Sequence, residues 1–173
     1  AWNHHRHLEA YFAVPCSGAS LHTINLRLAA DHLTYVINHA RDRVLLVDDD
    51  LLPLVEAIAD KLETVEQYVV MCDGPLPKSR LPLLSYEELL ESAPADWRFP
   101  DDIDEWEEMG ICFSSATTGM PKGVPYTHRA IFLHSMLACM ADAVAVSERD
   151  IVMPIVPMFH ANAWGLPFAS VWM

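Results

Sequence analysis

Ile111-Cys112-Phe113 runs directly into Ser114-Ser115-Ala116-Thr117-Thr118-Gly119-Met120-Pro121-Lys122-Gly123-Val124. A short apolar run gives way to four hydroxyls within five residues, then to Gly, Pro, Lys and Gly. Ser and Thr compete for backbone hydrogen bonds, and Gly and Pro break the helical pattern, so the stretch reads as a loop. Gly110 to Ser114 is the strand that enters it, and Gly123 to Tyr126 the strand that returns. Hydroxyls and the free N–H groups of a tight turn can cradle an anion, and Lys122 adds a point charge. A Walker A loop needs G-x-x-x-x-G-K-S/T, whereas Lys122 is followed by Gly123 and Gly119 lies only three residues before it. The plainer alternative is a Ser/Thr-rich surface turn.

Upstream, the periodicities alternate between strand and helix. Residues 2–13 suit a helix with Leu8, Tyr11 and Phe12 on one face, then a turn at Pro15 to Gly18 and a short strand at Ala19 to Ile24. Leu33, Val36, Ile37 and Ala40 repeat at helical spacing within 30–41. Arg43 to Val47 reads as a buried strand, Asp48-Asp49-Asp50 as capping acids for a helix at 51–62, and Gln67 to Cys72 as the next strand. That is a βαβ unit, which implies parallel pairing and a right-handed crossover. Residues 73–82 form a Pro-rich loop, and Ser85 with Glu88 makes a capping box for a short helix through Glu91. His4, His5 and His7 read as a tag-like or solvated cluster, because no carboxylate or Cys completes a ligand set nearby.

Downstream, 128–146 is apolar on nearly all sides, which predicts a buried helix. Asp150 to Val156 predicts a core strand, followed by the loop Pro157-Met158-Phe159-His160-Ala161-Asn162-Ala163-Trp164-Gly165. Ligands of open α/β sheets bind beyond the carboxyl ends of strands, so the loops after 110–114 and 150–156 could line one crevice.

Composition narrows the classes. A formal charge of −13 argues against a nucleic-acid partner. Against that acidic background Lys122, His128 and Arg129 form a small cationic cluster in sequence. Residues 94–108 carry seven acids against Arg98 alone, which reads as a solvated connection; Asp101-Asp102-Ile103-Asp104 lacks the Gly and distal Glu of an EF-hand. Cys16, Cys72, Cys112 and Cys139 form no C-x-x-C pair, which signals reduced, cytoplasmic thiols rather than metal ligands. No signal peptide stands out, and the prolines between Ile151 and Met173 make that run a poor membrane span. Both ends read as cut, so a fragment of a longer protein is expected.

Ser114 to Gly123 resembles the phosphate-binding signature S/T-S/T-G-S/T-T-G-x-P-K-G of the adenylate-forming superfamily, departing once, at Ala116. Pro157 to Gly165 resembles the P-M/L-F-H-x-N-A-W-G segment of its medium- and long-chain fatty-acid–CoA ligases. Leu21-His22-Thr23-Ile24-Asn25-Leu26-Arg27-Leu28 is similar to their L-H-T-x-N-x-R-L segment. Trp2-Asn3 with Arg6-His7-Leu8-Glu9, and Arg43 to Asp48, fit the helix and the strand around it. The resemblance runs in order through nearly all of the chain.

The resemblance implies an α/β fold, βαβ layers with a mainly parallel sheet flanked by helices, forming part of the family's large N-terminal domain. Within it, 1–92 would be the βαβ-containing subregion, 93–109 the acidic connection, and 110–173 the phosphate-loop and acyl-pocket subregion. The family's C-terminal domain has no counterpart here. The implied reaction joins a fatty acid to ATP with Mg²⁺, giving acyl-AMP and pyrophosphate, and then transfers the acyl group to coenzyme A. By position, Ser114 would lie near Mg²⁺. Ser115, Ala116, Thr117, Thr118 and Gly119 would surround the phosphates and Lys122 would neutralise them. His160 would border the nucleotide and acyl pocket, and Trp164 would gate the acyl tunnel. The expected partners are fatty acid, ATP and CoA, with a homodimer of the parent allowed and no transmembrane segment. A catalytically incomplete nucleotide-binding or interaction module of the same fold is the alternative.

Overall fold

The computed structural model describes residues 1–114 and 119–173, and the chain divides into two compact units. One is built mainly from Leu26–Arg98; the other joins Trp2–Asn25, Phe99–Ser114 and Lys122–Met173.

The first unit is the expected βαβ arrangement. Helix α2 (Ala30–Ala40) buries Leu33, Val36 and Ile37. It ends at Arg41, whose left-handed backbone lets its N–H reach Asn38 O and the Asp42 N–H reach Ile37 O. Strand β2 (Val44–Asp48) pairs in parallel with β3 (Gln67–Met71), from Val44 opposite Gln67 to Asp48 opposite Met71. β3 is central, and Tyr68 to Met71 are all buried, as an interior parallel strand requires. Val47, Leu51, Leu52, Val70 and Cys72 form the core of this unit.

The structure departs from expectation here twice. A helix over 51–62 does not form as one piece: a 3₁₀ turn (Asp49–Leu51), a short helix α3 (Leu52–Glu56) and a second 3₁₀ turn (Ala59–Lys61) replace it. Pro53 has no N–H to give a preceding turn, so it sits at the start of α3 and the helix begins anew there. Asp48 makes no side-chain cap, and Asp49 instead accepts the Asp50 N–H at 3.0 Å. Secondly, Leu83–Ser85 is a strand, β4, parallel to β3, where a direct passage from loop to helix was expected. The loop before it is pinned by Arg80, which donates to Asp60 at 2.7 and 3.1 Å and to Glu56 O at 2.7 Å. Ser85 caps α4 (Tyr86–Ser92) by accepting the Glu88 N–H.

In the second unit, helix α1 (His5–Cys16) is capped by His4, which accepts the His7 N–H. His7 is buried and its Nδ1 lies 2.9 Å from Trp2 O, so His4 and His7 are structural rather than tag-like or solvated, while His5 is exposed. No group of three metal-ligating side chains occurs among the described residues. Strand β1 (Leu21–His22) pairs in parallel with β5 (Glu108–Phe113), and β5 pairs antiparallel with β6 (Gly123–Thr127). β6 is an edge strand, which is where Pro125 can be tolerated. Residues 93–102 and 104–108 are exposed, as the acid-rich composition predicts. Among the described residues no helix is long and apolar enough to cross a membrane.

The all-round apolar stretch 128–146 is shorter and more exposed than expected. Helix α5 covers His128–Cys139 and buries only Ser135 and Ala138. Phe132, Leu133, Met136 and Leu137 face outward, at 53, 43, 42 and 58 % exposure. α5 packs on α6 (Leu166–Trp172), whose Ala169 is fully buried. Small residues line the buried side and bulky ones remain outside, a choice that hydropathy alone does not encode. Residues 150–156 are not a strand either. Ile151, Met153 and Ile155 are exposed, and Pro154 and Pro157 remove the donors that a ladder would use.

Gly110 marks how closely β1 and β5 approach: a Cβ there would stand 2.9 Å from Leu21 O. Gly110→Ala is expected to cost about 1–3 kcal/mol, because backbone must move to admit the methyl. Gly74, with open space around it, should accept Ala within about 0.5 kcal/mol. Thermal unfolding of the two variants measures the contrast.

Candidate functional site

Strand β5 delivers the hydroxyl-rich loop. At its end the Ser114 N–H donates to Lys122 O at 3.0 Å, and the Lys122 N–H donates to Ser114 Oγ at 3.1 Å. This reciprocal pair closes the loop at its base and leaves both side chains exposed. Gly119 has φ 150°, a backbone that L side chains rarely adopt, with open space around it. Ser115, Ala116, Thr117 and Thr118 lie outside the described residues.

The cationic cluster seen in sequence is smaller in space. Arg129 is held by Glu105, with Nη1 at 2.9 and 3.0 Å from the two carboxylate oxygens, and its guanidinium lies 5.1 Å over the Trp106 ring. It is committed to that contact, so Lys122 is the cation the loop itself supplies.

The second loop is held from the N-terminal side. Asn3 Nδ2 donates to Pro154 O at 3.0 Å and Val156 O at 3.1 Å, and Asn3 Oδ1 accepts the Met158 N–H at 2.7 Å. The Tyr11 hydroxyl donates to Met158 O. His160 closes the next turn through its N–H to Pro157 O at 2.9 Å and its carbonyl to the Ala163 N–H at 3.1 Å. From there the chain turns left-handed: Ala161, Asn162, Ala163, Trp164 and Gly165 have φ of 46, 49, 47, 58 and 70°. His160 is exposed and Trp164 is 66 % exposed, so Trp164 is not a core residue. Ala163 beside it is fully buried with Tyr11, Met109, Met158 and Phe168.

A buried polar knot that sequence reasoning left unassigned joins β5 to the second loop. Asn162 Oδ1 lies 3.1 Å from Thr23 Oγ1, 3.1 Å from Cys112 Sγ and 3.4 Å from the Tyr11 hydroxyl. Thr23 and Cys112 are 3.0 Å apart. Cys112 precedes Ser114 by two residues and Asn162 follows His160 by two, so this contact ties β5, the strand that enters the hydroxyl-rich loop, to the second loop. Burial holds the Cys112 thiol above its ordinary pKa, although the bond to Thr23 works the other way. Burial likewise pushes Tyr11 far up, with Cys112 and Tyr126 adding to it, and raises Tyr126. All three stay protonated at neutral pH and can serve as neutral donors.

The family model described as AMP-binding enzyme matches residues 1–172. A long-chain-fatty-acid–CoA ligase of Thermus thermophilus is 52 % identical over 169 residues, covering 98 % of this chain and 30 % of that protein. A medium-chain-fatty-acid–CoA ligase of Ectopseudomonas oleovorans is 45 % identical over 172 residues, covering 98 % of this chain and 31 % of its own length. Among solved structures, a long-chain-fatty-acid–CoA ligase from Archaeoglobus fulgidus superposes with a TM-score of 0.82 at 23 % identity. That likeness covers 97 % of this chain and 31 % of that one, and shows the fold. The chain therefore spans just under a third of the length of the curated relatives it matches. Sequence and fold agree on one family: this chain belongs to the AMP-binding enzymes.

Proposed function

We propose that the chain is the N-terminal portion of an AMP-forming fatty-acid–CoA ligase acting on medium- or long-chain acids. The observation that carries this reading is the family match over residues 1–172 together with the 52 % identity to a long-chain-fatty-acid–CoA ligase, and the Cys112–Asn162 contact that sets β5 against the His160–Trp164 loop is consistent with it. In the proposed reaction the fatty-acid carboxylate attacks the α-phosphorus of Mg-ATP, pyrophosphate leaves, and the thiol of coenzyme A then displaces AMP. A carboxylic acid is already ionised at pH 7, so the first step needs no general base. It needs charge neutralisation and alignment.

Ser115, Ala116, Thr117, Thr118 and Gly119 are proposed to surround the phosphates with hydroxyl and backbone donors, and Lys122 to neutralise them. Ser114 has a lone pair left after accepting the Lys122 N–H, so it fits one oxygen ligand of the Mg²⁺ that accompanies ATP. A lone neutral oxygen does not hold such an ion by itself, and the phosphates supply the rest. His160 borders the nucleotide and acyl pocket, and Trp164, already exposed, suits a gate at the acyl entrance. The four free cysteines support a reducing, cytoplasmic location. Light scattering on the longer protein would report whether it pairs as a homodimer.

The 173-residue chain alone is expected to form no acyl-AMP, because it spans under a third of its relatives. Acyl-hydroxamate formation from octanoate or palmitate with ATP and hydroxylamine tests this, and clear turnover by the purified chain contradicts it. In the longer protein, Lys122→Ala should lower thioester formation by about tenfold or more, the loss expected when a cation facing developing phosphate charge is removed. Unchanged kinetics would remove Lys122 from the phosphate site.

A further inference from the structure

Four consecutive non-glycine residues, Ala161 to Trp164, occupy the left-handed region. Only Asn162 among them is of a type that visits this region readily; for the others it costs roughly 1–2 kcal/mol each. Backbone strain of this kind persists only where the surroundings over-determine it, and it concentrates at functional sites. Here the surroundings are specific. Asn162 Oδ1 accepts from Thr23 and Cys112 at 3.1 Å each, and the Tyr11 proton, given mainly to Met158 O, is shared more weakly with Asn162 at 3.4 Å. Thr23 is 5 % exposed and Cys112 6 %, so water does not replace either donor. The turn leaves three side chains outside: His160 before it, and Ala161 and Trp164 within it.

Building on the function proposed above, we propose that Thr23 and Asn162 are positioning residues for the fatty acid: their hydrogen bond fixes the left-handed turn and thereby the placement of Trp164. They touch no substrate. Their effect falls on the acid rather than on ATP, because the hydroxyl-rich loop is closed independently by the Ser114–Lys122 pair.

The test uses the full-length ligase containing this chain. Thr23→Val keeps the shape and deletes the hydroxyl, and Thr23→Ser restores a donor. Thr23→Val is expected to raise the KM for the fatty acid about five- to tenfold, as loss of one buried hydrogen bond allows, with the KM for ATP held within about twofold. Thr23→Ser should return the acid KM to within about twofold of the unsubstituted enzyme, consistent with the bond it remakes. An unchanged acid KM, an equal rise in both KM values, or no recovery with Ser overturns the proposal. A purely structural role would lower the thermal midpoint without this split. If Thr23→Val does not fold, Asn162→Gly keeps the left-handed backbone and deletes the acceptor; it must show the same split, and its absence overturns the proposal equally. The unsubstituted enzyme is assayed first. If it forms no acyl-CoA from any fatty acid, the ligase reading itself fails and this inference falls with it.

Discussion

Every buried backbone N–H and C=O must find a partner, and among the described residues 154–162 belong to no strand ladder that would supply one. Side chains from the start of the chain do so instead. Asn3 takes two carbonyls and one N–H of this segment, and Tyr11 takes the carbonyl of Met158. Thr23 and Cys112 then meet Asn162. The second loop is therefore held by Asn3, Tyr11 and Thr23 near the start of the chain and by Cys112 of β5, acting in part through its own Asn162. This arrangement also explains why Tyr11 is fully buried while Leu8 on the same helix is exposed.

The same constraint organises the hydroxyl-rich loop. β5 is flanked on one side by β1 in parallel and on the other by β6 in antiparallel order. Gly110 permits the close approach to β1, and the reciprocal Ser114–Lys122 bonds extend the β5–β6 hairpin one step past its last paired residues. One strand thus carries, within Gly110 to Ser114, the packing glycine, the knot cysteine and the base of the loop.

Much of this was legible in the sequence where one physical signal dominated. Helix α2, the parallel β2–β3 pair, the Ser85 cap and the β5–β6 hairpin follow from periodicity, continuous apolar runs and turn chemistry. The family followed from the order of specific segments. What could not be read turned on tertiary choices. The apolar stretch 128–146 gives no indication that Ser135 and Ala138 would form its buried side. Ile151, Met153 and Ile155 alternate as in a strand, but prolines at 154 and 157 deny the ladder. β4 is three residues long and carries no β-branched residue. The knot was hidden because Thr23 and Asn162 are 139 residues apart, and each reads locally as an ordinary polar residue.

Activation of a fatty acid by adenylation is the function proposed for the protein to which this chain belongs. Phosphorus NMR of the products formed from ATP by the full-length protein, with a medium- or long-chain fatty acid and coenzyme A, tests it most directly. The account predicts AMP and pyrophosphate, formed only when the acid is present. ADP with inorganic phosphate, or ATP consumption independent of the acid, would contradict it.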